Sequence, residues 1–465
     1  VALPTELPVA EPTQSTRGPV ASSGWRADLL AVAVAGLLVA AAGLVIGWLH
    51  WYSYFKIFAW APPLFGHFVP HVGPGTPVVV VLAVLVVARG PEVAGRLSWR
   101  WLCVVGYAAA VVWTLGLAMI DGWQVGLAGQ FTSSDQYLLD VPRVTNVGAM
   151  LHSFTSHILT GQPGSWITQV SGHPPGALLV FVWLDRLGLR GGGWAGVVCL
   201  LVGCLAAVAV PATLRALGDE SAARGIMSFA VLFPGAIWLG VSADGLFTGV
   251  TSVGILLLAI GCGQLRQEDR PLVGGVLCLA GGMLLGFGMF LSYGLVLLAP
   301  VALVVCVLRR GWWGIGFAVA GVLLVVAAFA IAGFWWLDGY HLVIQRYYQD
   351  LGRTRPYDYW VWANLAALTI AVGPVLAPGL RRAVLDPIRR RTLVPAAALV
   401  LAAAVAVAVA DKSGLSKAEV ERIWLPFGVW LSAGAALLPA ASRRWWLAGQ
   451  AATALAVGSL VLTKW

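Results

Sequence analysis

The feature that most constrains this chain is a succession of apolar runs, most of them about 20 residues long and nearly free of charge. At 1.5 Å per residue such a run makes a helix about 30 Å long, the thickness of a bilayer's hydrocarbon core. The runs fall near 27–49, 74–89, 101–121, 173–187, 191–214, 226–241, 245–262, 272–291, 294–308, 313–333, 358–378, 393–410, 423–440 and 445–463. The chain is 59% hydrophobic and only 11% charged, where a soluble domain carries about 25% charged residues. That excess of apolar surface calls for lipid rather than water around it. The expected fold is all-α, a polytopic transmembrane helical bundle in the plasma membrane.

Arginine supplies 25 of the 29 basic residues, and it clusters at the ends of apolar runs. The pattern reads as membrane orientation rather than nucleic-acid binding. Arg89, Arg96 and Arg100, then Arg309 and Arg310, then Arg381, Arg382 and Arg389 to Arg391, then Arg443 and Arg444 mark the inner side. Four longer segments then fall outside, at 50–73, 121–172, 334–357 and 411–422. All seven histidines (His50, His67, His71, His152, His157, His173 and His341) lie in or beside them. An even number of spans breaks this scheme, so about 13 spans plus one re-entrant or half-spanning segment are expected. The short run after His173-Pro174-Pro175 is the candidate for the half-span. Residues 1–25 read as a disordered cytoplasmic tail with no apolar signal-peptide core. Residues 26–120 read as N-terminal membrane helices and 121–465 as the main membrane domain.

The segment 121–172 exceeds the length of an ordinary connector, and such loops are usually functional when they are not disordered. Val147, Met150, Leu151, Phe154 and Ile158 have the spacing of short amphipathic surface helices. Asp135, in Ser133-Ser134-Asp135-Gln136-Tyr137, suits a general base or a helix N-cap. Asp140 suits a site carboxylate or a solvated, paired one. His173, before Pro174-Pro175, suits a site residue or simple helix initiation.

Between Trp335 and Tyr359 stand His341, Arg346, Tyr347, Tyr348, Arg353 and Arg355. Guanidinium binds phosphate in bidentate fashion and aromatic rings cover sugar faces. The same residues also suit a juxtamembrane aromatic belt. Glu421-Arg422 enters an apolar run, where Arg422 either binds a lipid phosphate or snorkels to headgroups. Asp244 reads as a carboxylate at a helix cap. The six cysteines (Cys103, Cys199, Cys204, Cys262, Cys278 and Cys306) lie in apolar stretches without C-x-x-C spacing, so they read as packing residues. No acidic pair has the spacing of an Asp-x-Asp metal site, and no metal or cofactor is expected.

Taken in order, these motifs resemble the GT-C superfamily of integral membrane glycosyltransferases. The residues that carry the resemblance are Ser134-Asp135-Gln136-Tyr137, His173-Pro174-Pro175-Gly176, Pro234 to Asp244, the Gly-rich stretch from Gly281 to Tyr293, and Glu421 to Pro426. Each is weak singly and the combination covers about 120–463. The Ala, Val, Gly, Arg and Trp content also resembles proteins of high-GC actinobacteria. In that superfamily the acidic loop usually follows the first helix, whereas here it follows the third, so 27–100 looks like an added helical pair. Many members carry a longer soluble C-terminal part, and the close of this chain at Trp465 favours a small or lipid-linked acceptor.

The resemblance implies inverting transfer of a sugar (mannose or arabinose-like) on the outer side of the membrane. The donor would be a polyprenyl-phosphate sugar, and the acceptor an envelope glycan or glycolipid. Asp135 would be the base and His173 an orienting residue. Arg422, then Arg346, would stabilise phosphate charge, with Tyr347, Tyr348, His341, Glu421 and Asp140 around the substrates. A secondary transporter or lipid flippase is the alternative, although no internal repeat is visible and ionisable residues are nearly absent from mid-span. Another envelope acyl- or phospho-transferase, or a non-catalytic scaffold, also remains open.

Overall fold

The computed structural model describes residues 24–47, 57, 59–266 and 270–463. The expected tail up to Ser23, and His50, lie outside them. Helix α1 (Trp25–Gly47) leads to a short strand, β1 (Gly66–Phe68), and then to α2 (Thr76–Arg96) and α3 (Trp99–Ala118). The long loop that follows holds α4 (Val147–Ser153) and α5 (Thr168–Ser171). Next come α6 (Pro175–Arg186), α7 (Gly191–Gly203), α8 (Ala206–Ala216), α9 (Glu220–Val231), α10 (Ala236–Leu239), α11 (Ala243–Gln264) and α12 (Pro271–Leu291). The second half holds α13 (Ala299–Leu308), α14 (Trp312–Ile331), α15 (Trp336–Gln349), α16 (Leu351–Thr354), α17 (Tyr357–Val372), α18 (Leu376–Arg390), α19 (Pro395–Lys412), α20 (Val420–Ile423), α21 (Leu425–Leu431) and α22 (Arg443–Leu460), closed by β2 (Val461–Thr463).

Among the described residues, eight helices are long and apolar enough to cross a membrane, and up to ten if each of two bent pairs is one span. That is fewer than about 13, and the shortfall has local causes. The 173–187 run, expected as the half-span and so not counted among the full spans, folds as the 12-residue α6, too short to span. The 226–241 run breaks between α9 and α10, where Pro234 has no N–H to give and its ring clashes with the preceding turn. The 358–378 stretch bends by 101° between α17 and α18, and 425–460 bends by 113°.

The helices are graded by what surrounds them. Only 17% of the apolar window of α1, α2 and α14 is buried in the protein, against 72% for α11. Leu30, Leu37 and Ile331 stand out from the surface. An apolar belt of that extent is unstable in water and is at home in lipid. The centre is α11, packed on α8, α7 and α12. Gly254 faces Gly281, and Gly261 faces Gly274 and Cys278, so the α11 and α12 backbones approach closely, as small residues permit between membrane helices.

The two ends of the bundle differ in chemistry. At one end Arg381 and Arg382 hold Asp28 of α1 at 2.8 and 2.6 Å. There too Arg224 donates to the carbonyls of Ala94 and Leu97, and Arg444 donates to Ala88. At the other end β1 pairs antiparallel with β2, His71 binds Asp121, and the 121–172 loop folds back onto the helices. Met150, Leu151, Phe154 and Ile158 are buried there, so the amphipathic spacing of the loop does form helical turns that cover the bundle.

Candidate functional site

The site is built on three helix starts that meet at the loop-bearing end. His173 precedes α6, Asp244 lies in the first turn of α11, and Glu421-Arg422 lies in α20. Arg422 donates from Nη1 to Asp244 Oδ2 at 2.7 Å and from Nη2 to Glu419 Oε2 at 2.7 Å. Glu419 Oε1 accepts from Arg355 Nη2 at 2.9 Å, and Arg355 Nη1 also donates to the Lys417 carbonyl. Two carboxylates and two guanidiniums thus form one buried chain of alternating charge. Burial alone would raise the Glu419 pKa, but the two arginines outweigh it and hold the group below its ordinary value. Burial also works against the Arg422 charge, and Asp244 and Glu419 overcome it and raise its pKa. Each of the four groups has opposite charge beside it, the arrangement in which buried charge is tolerated.

The turn that presents Glu419 is strained. Ala418 and Glu419 both have left-handed backbone, at φ of 72° and 64°, which costs about 1–3 kcal/mol per residue. Asn364 holds the turn: its side chain accepts from Ala418 N–H and donates to Asp411 and to the Ser416 carbonyl.

Glu421 points elsewhere. Its Oε1 accepts the Phe65 N–H at 2.8 Å, and its Oε2 has no hydrogen-bond partner among the described residues. Burial, with Glu419 nearby, pushes its pKa up to about 7 against the two hydrogen bonds that lower it. It joins α20 to the segment before β1.

The His173 ring packs tilted against Tyr137 and Phe247, at 5.7 and 5.8 Å between ring centres. Its Nδ1 donates to the Gln169 carbonyl at 2.8 Å. Burial lowers its pKa, opposed by Asp244, so the ring is neutral at pH 7 with Nε2 as an acceptor. Asp135 lies on the exposed side of the same turn. Its backbone carbonyl accepts from Gln169 N–H at 3.1 Å and its side chain from Thr168 at 3.5 Å. It caps no helix. Arg346, on α15, reaches this turn from the opposite side and donates Nε to Ser171 Oγ at 3.2 Å. Asp135, His173 and Arg346 therefore converge on residues 168–173.

The other expected site residues divide. Both oxygens of Asp140 are engaged, by Arg143 at 2.5 Å and the Ile167 N–H at 3.0 Å, so it clasps its own loop rather than offering itself to a ligand. Tyr347 Oη accepts from Lys417 N–H at 3.2 Å, and the Tyr348 ring lies 5.7 Å from Lys417 Nζ. Both thereby brace the turn carrying Glu419. His341 is on the exposed face of α15, against Tyr340. Asp244 emerges as the network's anchor, although the sequence shows only a carboxylate between apolar runs. No spacing rule links it to Arg422, 178 residues later.

Beside the network, α17, α18 and α19 enclose an apolar groove of about 380 Å³. It runs from Leu376 and Leu380 past Leu368 and Val407 to Tyr357 and Lys412, where the 411–419 segment begins. Among the described residues no group of three or more His, Cys, Asp or Glu is placed to hold a metal ion. Comparison with protein-family models, curated proteins and solved structures finds no match.

Proposed function

We propose that this protein is a membrane glycosyltransferase that moves a sugar from a polyprenyl-phosphate donor to an envelope glycan or glycolipid acceptor, at the outer membrane boundary. The observation that carries the proposal is the meeting of Asp135, His173 and Arg346 on one turn, next to the buried Asp244–Arg422–Glu419–Arg355 chain. A base, a neutral imidazole and a guanidinium at a lipid boundary are the groups that transfer from a lipid phosphate requires. In this reading α6 is a half-span, and the loop-bearing end faces outward.

Asp135 takes the proton of the acceptor hydroxyl. The hydroxyl oxygen attacks the anomeric carbon, the carbon–oxygen bond to phosphate breaks, and polyprenyl phosphate leaves with the electron pair. Arg346 holds the departing phosphate. It comes ahead of Arg422 in this role because both Nη groups of Arg422 already bind carboxylates, whereas Arg346 holds one hydroxyl and an Asp350 oxygen at 3.5 Å. The Arg422 network fixes the ends of α11 and α20 instead. The groove at Leu368 and Val407 suits a polyprenyl tail.

The test is incubation of the purified protein with a panel of polyprenyl-phosphate sugars, followed by mass spectrometry of the lipid products. Transfer is expected from one donor, with a loss of at least about 100-fold in Asp135→Asn and an unchanged melting temperature. Normal turnover in Asp135→Asn would remove the assigned base. No product from any donor, together with lipid movement across vesicles, would replace the reading by a flippase.

A further inference from the structure

A second polar cavity opens at the other end of the bundle. Helix α11 begins next to Asp244 and ends at Gln264, so its 22 residues put Gln264 about 30 Å from the charge network. There the ends of α3, α8, α11 and α13 enclose a cavity of about 490 Å³, lined among others by Trp99, Arg215, Glu220, Gln264 and Arg309.

Two of these groups, Arg309 Nε and Gln264 Oε1, are buried without a hydrogen-bond partner among the described residues. A donor and an acceptor left dry in this way cost free energy, and a ligand that satisfies both recovers it. The position of Arg309 is also specified by its neighbours. A Cβ on Gly263 would lie 1.9 Å from Arg309 Nη2, so any larger residue at 263 would shift the guanidinium from this place.

The remaining wall is basic and aromatic. Arg215 lies 4.9 Å over the Trp99 ring and Arg224 lies 5.9 Å from it. Glu220 is shared between Arg215 and Arg224, so it neutralises less positive charge than surrounds it. Glu268 and Asp269 lie outside the described residues.

We propose that this cavity binds a phosphate ester whose alcohol part carries a hydrogen-bond donor. The phosphate oxygens accept from Arg309 and Arg215, and a hydroxyl or amine of the alcohol donates to Gln264 Oε1. The site is independent of the transfer chemistry at the far end of α11. An anionic lipid headgroup and a soluble phosphate monoester share this chemistry, and the experiment separates them.

The full-length protein in neutral detergent is titrated with phosphatidylglycerol, with glycerol phosphate and with phosphatidylcholine, and binding is read by native mass spectrometry. Phosphatidylglycerol or glycerol phosphate should bind, and phosphatidylcholine, which has no donor, should bind more weakly. Arg309→Gln should weaken the preferred probe about tenfold, the loss expected for one charge-assisted hydrogen bond. Gly263→Ala, which keeps the arginine but displaces it, should do the same. Gln264→Glu, which sets a like charge against phosphate, gives a second variant if Gly263→Ala fails to fold. Preference for the lipid assigns a headgroup site, and preference for glycerol phosphate assigns a soluble ligand. Equal binding of all three probes, or wild-type affinity in both Arg309→Gln and Gln264→Glu, overturns the proposal.

Discussion

At the scale of single residues, Glu421 makes the sharpest demand on pH. Its ordinary pKa is 4.5, and burial in the folded protein pushes it up to about 7. Between those values the folded chain binds more protons than the unfolded chain, so stability falls as pH rises from 4.5 to 7 and is level above. The full difference is about 3 kcal/mol. Glu421→Gln removes the titration while keeping an acceptor for the Phe65 N–H. In thermal melts from pH 4 to 9, the wild type is expected to lose ground to the variant through that window, with the variant the more stable at pH 8. Parallel curves would place Glu421 in a wetter setting than its burial implies. The charged residues were legible in the sequence as isolated oddities in apolar runs. Their pairing was not, because an ion pair between α11 and α20 depends on how the helices pack and leaves no mark on local spacing. Asp140 mixes the two cases: Arg143 is three residues away and Ile167 is 27, and the fold of the loop brings both to its two oxygens.

At the scale of elements, the long apolar runs predict the long helices well, since period and length alone determine them. Expectations fail where backbone chemistry interrupts a run, as at Pro234, whereas α6 has the short length expected of a half-span. That helix is held by its small first-turn residue. A Cβ on Gly176 would come within 2.4 Å of the Phe290 carbonyl oxygen of α12, so the two backbones touch there and His173 is fixed just before the contact. Gly176→Ala must push α6 away, at a cost of about 1–3 kcal/mol for overpacking, and should lower the melting temperature. The control is Gly36→Ala in α1, where a Cβ would meet nothing within 4 Å. Relief of glycine's helix penalty there is worth up to about 1 kcal/mol, so that variant should melt no lower than the wild type. Equal melting of the two variants would mean that α6 is not braced by α12. If Gly176→Ala folds, its effect on transfer also reports whether the position of His173 matters, separately from its chemistry.

At the scale of the whole molecule, the sorting of charge between the two ends is the property that a membrane would read. Arg224, Arg381, Arg382 and Arg444 lie at one end, while His71, Asp121, Asp135 and His173 lie at the other, where Arg346, Arg355 and Arg422 are bound into the candidate site. Basic residues stay on the cytoplasmic side during insertion, and the proposed transfer from a lipid-linked donor places the loop-bearing end outside. One experiment addresses both statements. Five of the six cysteines are buried and Cys103 is partly accessible, so Cys103→Ser provides a quiet background. Ser134→Cys, beside Asp135, and Arg390→Cys, at the end of α18, each add one exposed thiol. A membrane-impermeant maleimide applied to intact cells should label Ser134→Cys strongly and Arg390→Cys only after the cells are opened. The reverse pattern would turn the bundle over. It would leave the buried network, the groove and the cavity beneath Arg309 as described, while moving the proposed transfer to the cytoplasmic leaflet and the phosphate-ester cavity to the outer one. The orientation therefore decides which leaflet would supply the proposed donor and acceptor and which the proposed anionic ligand.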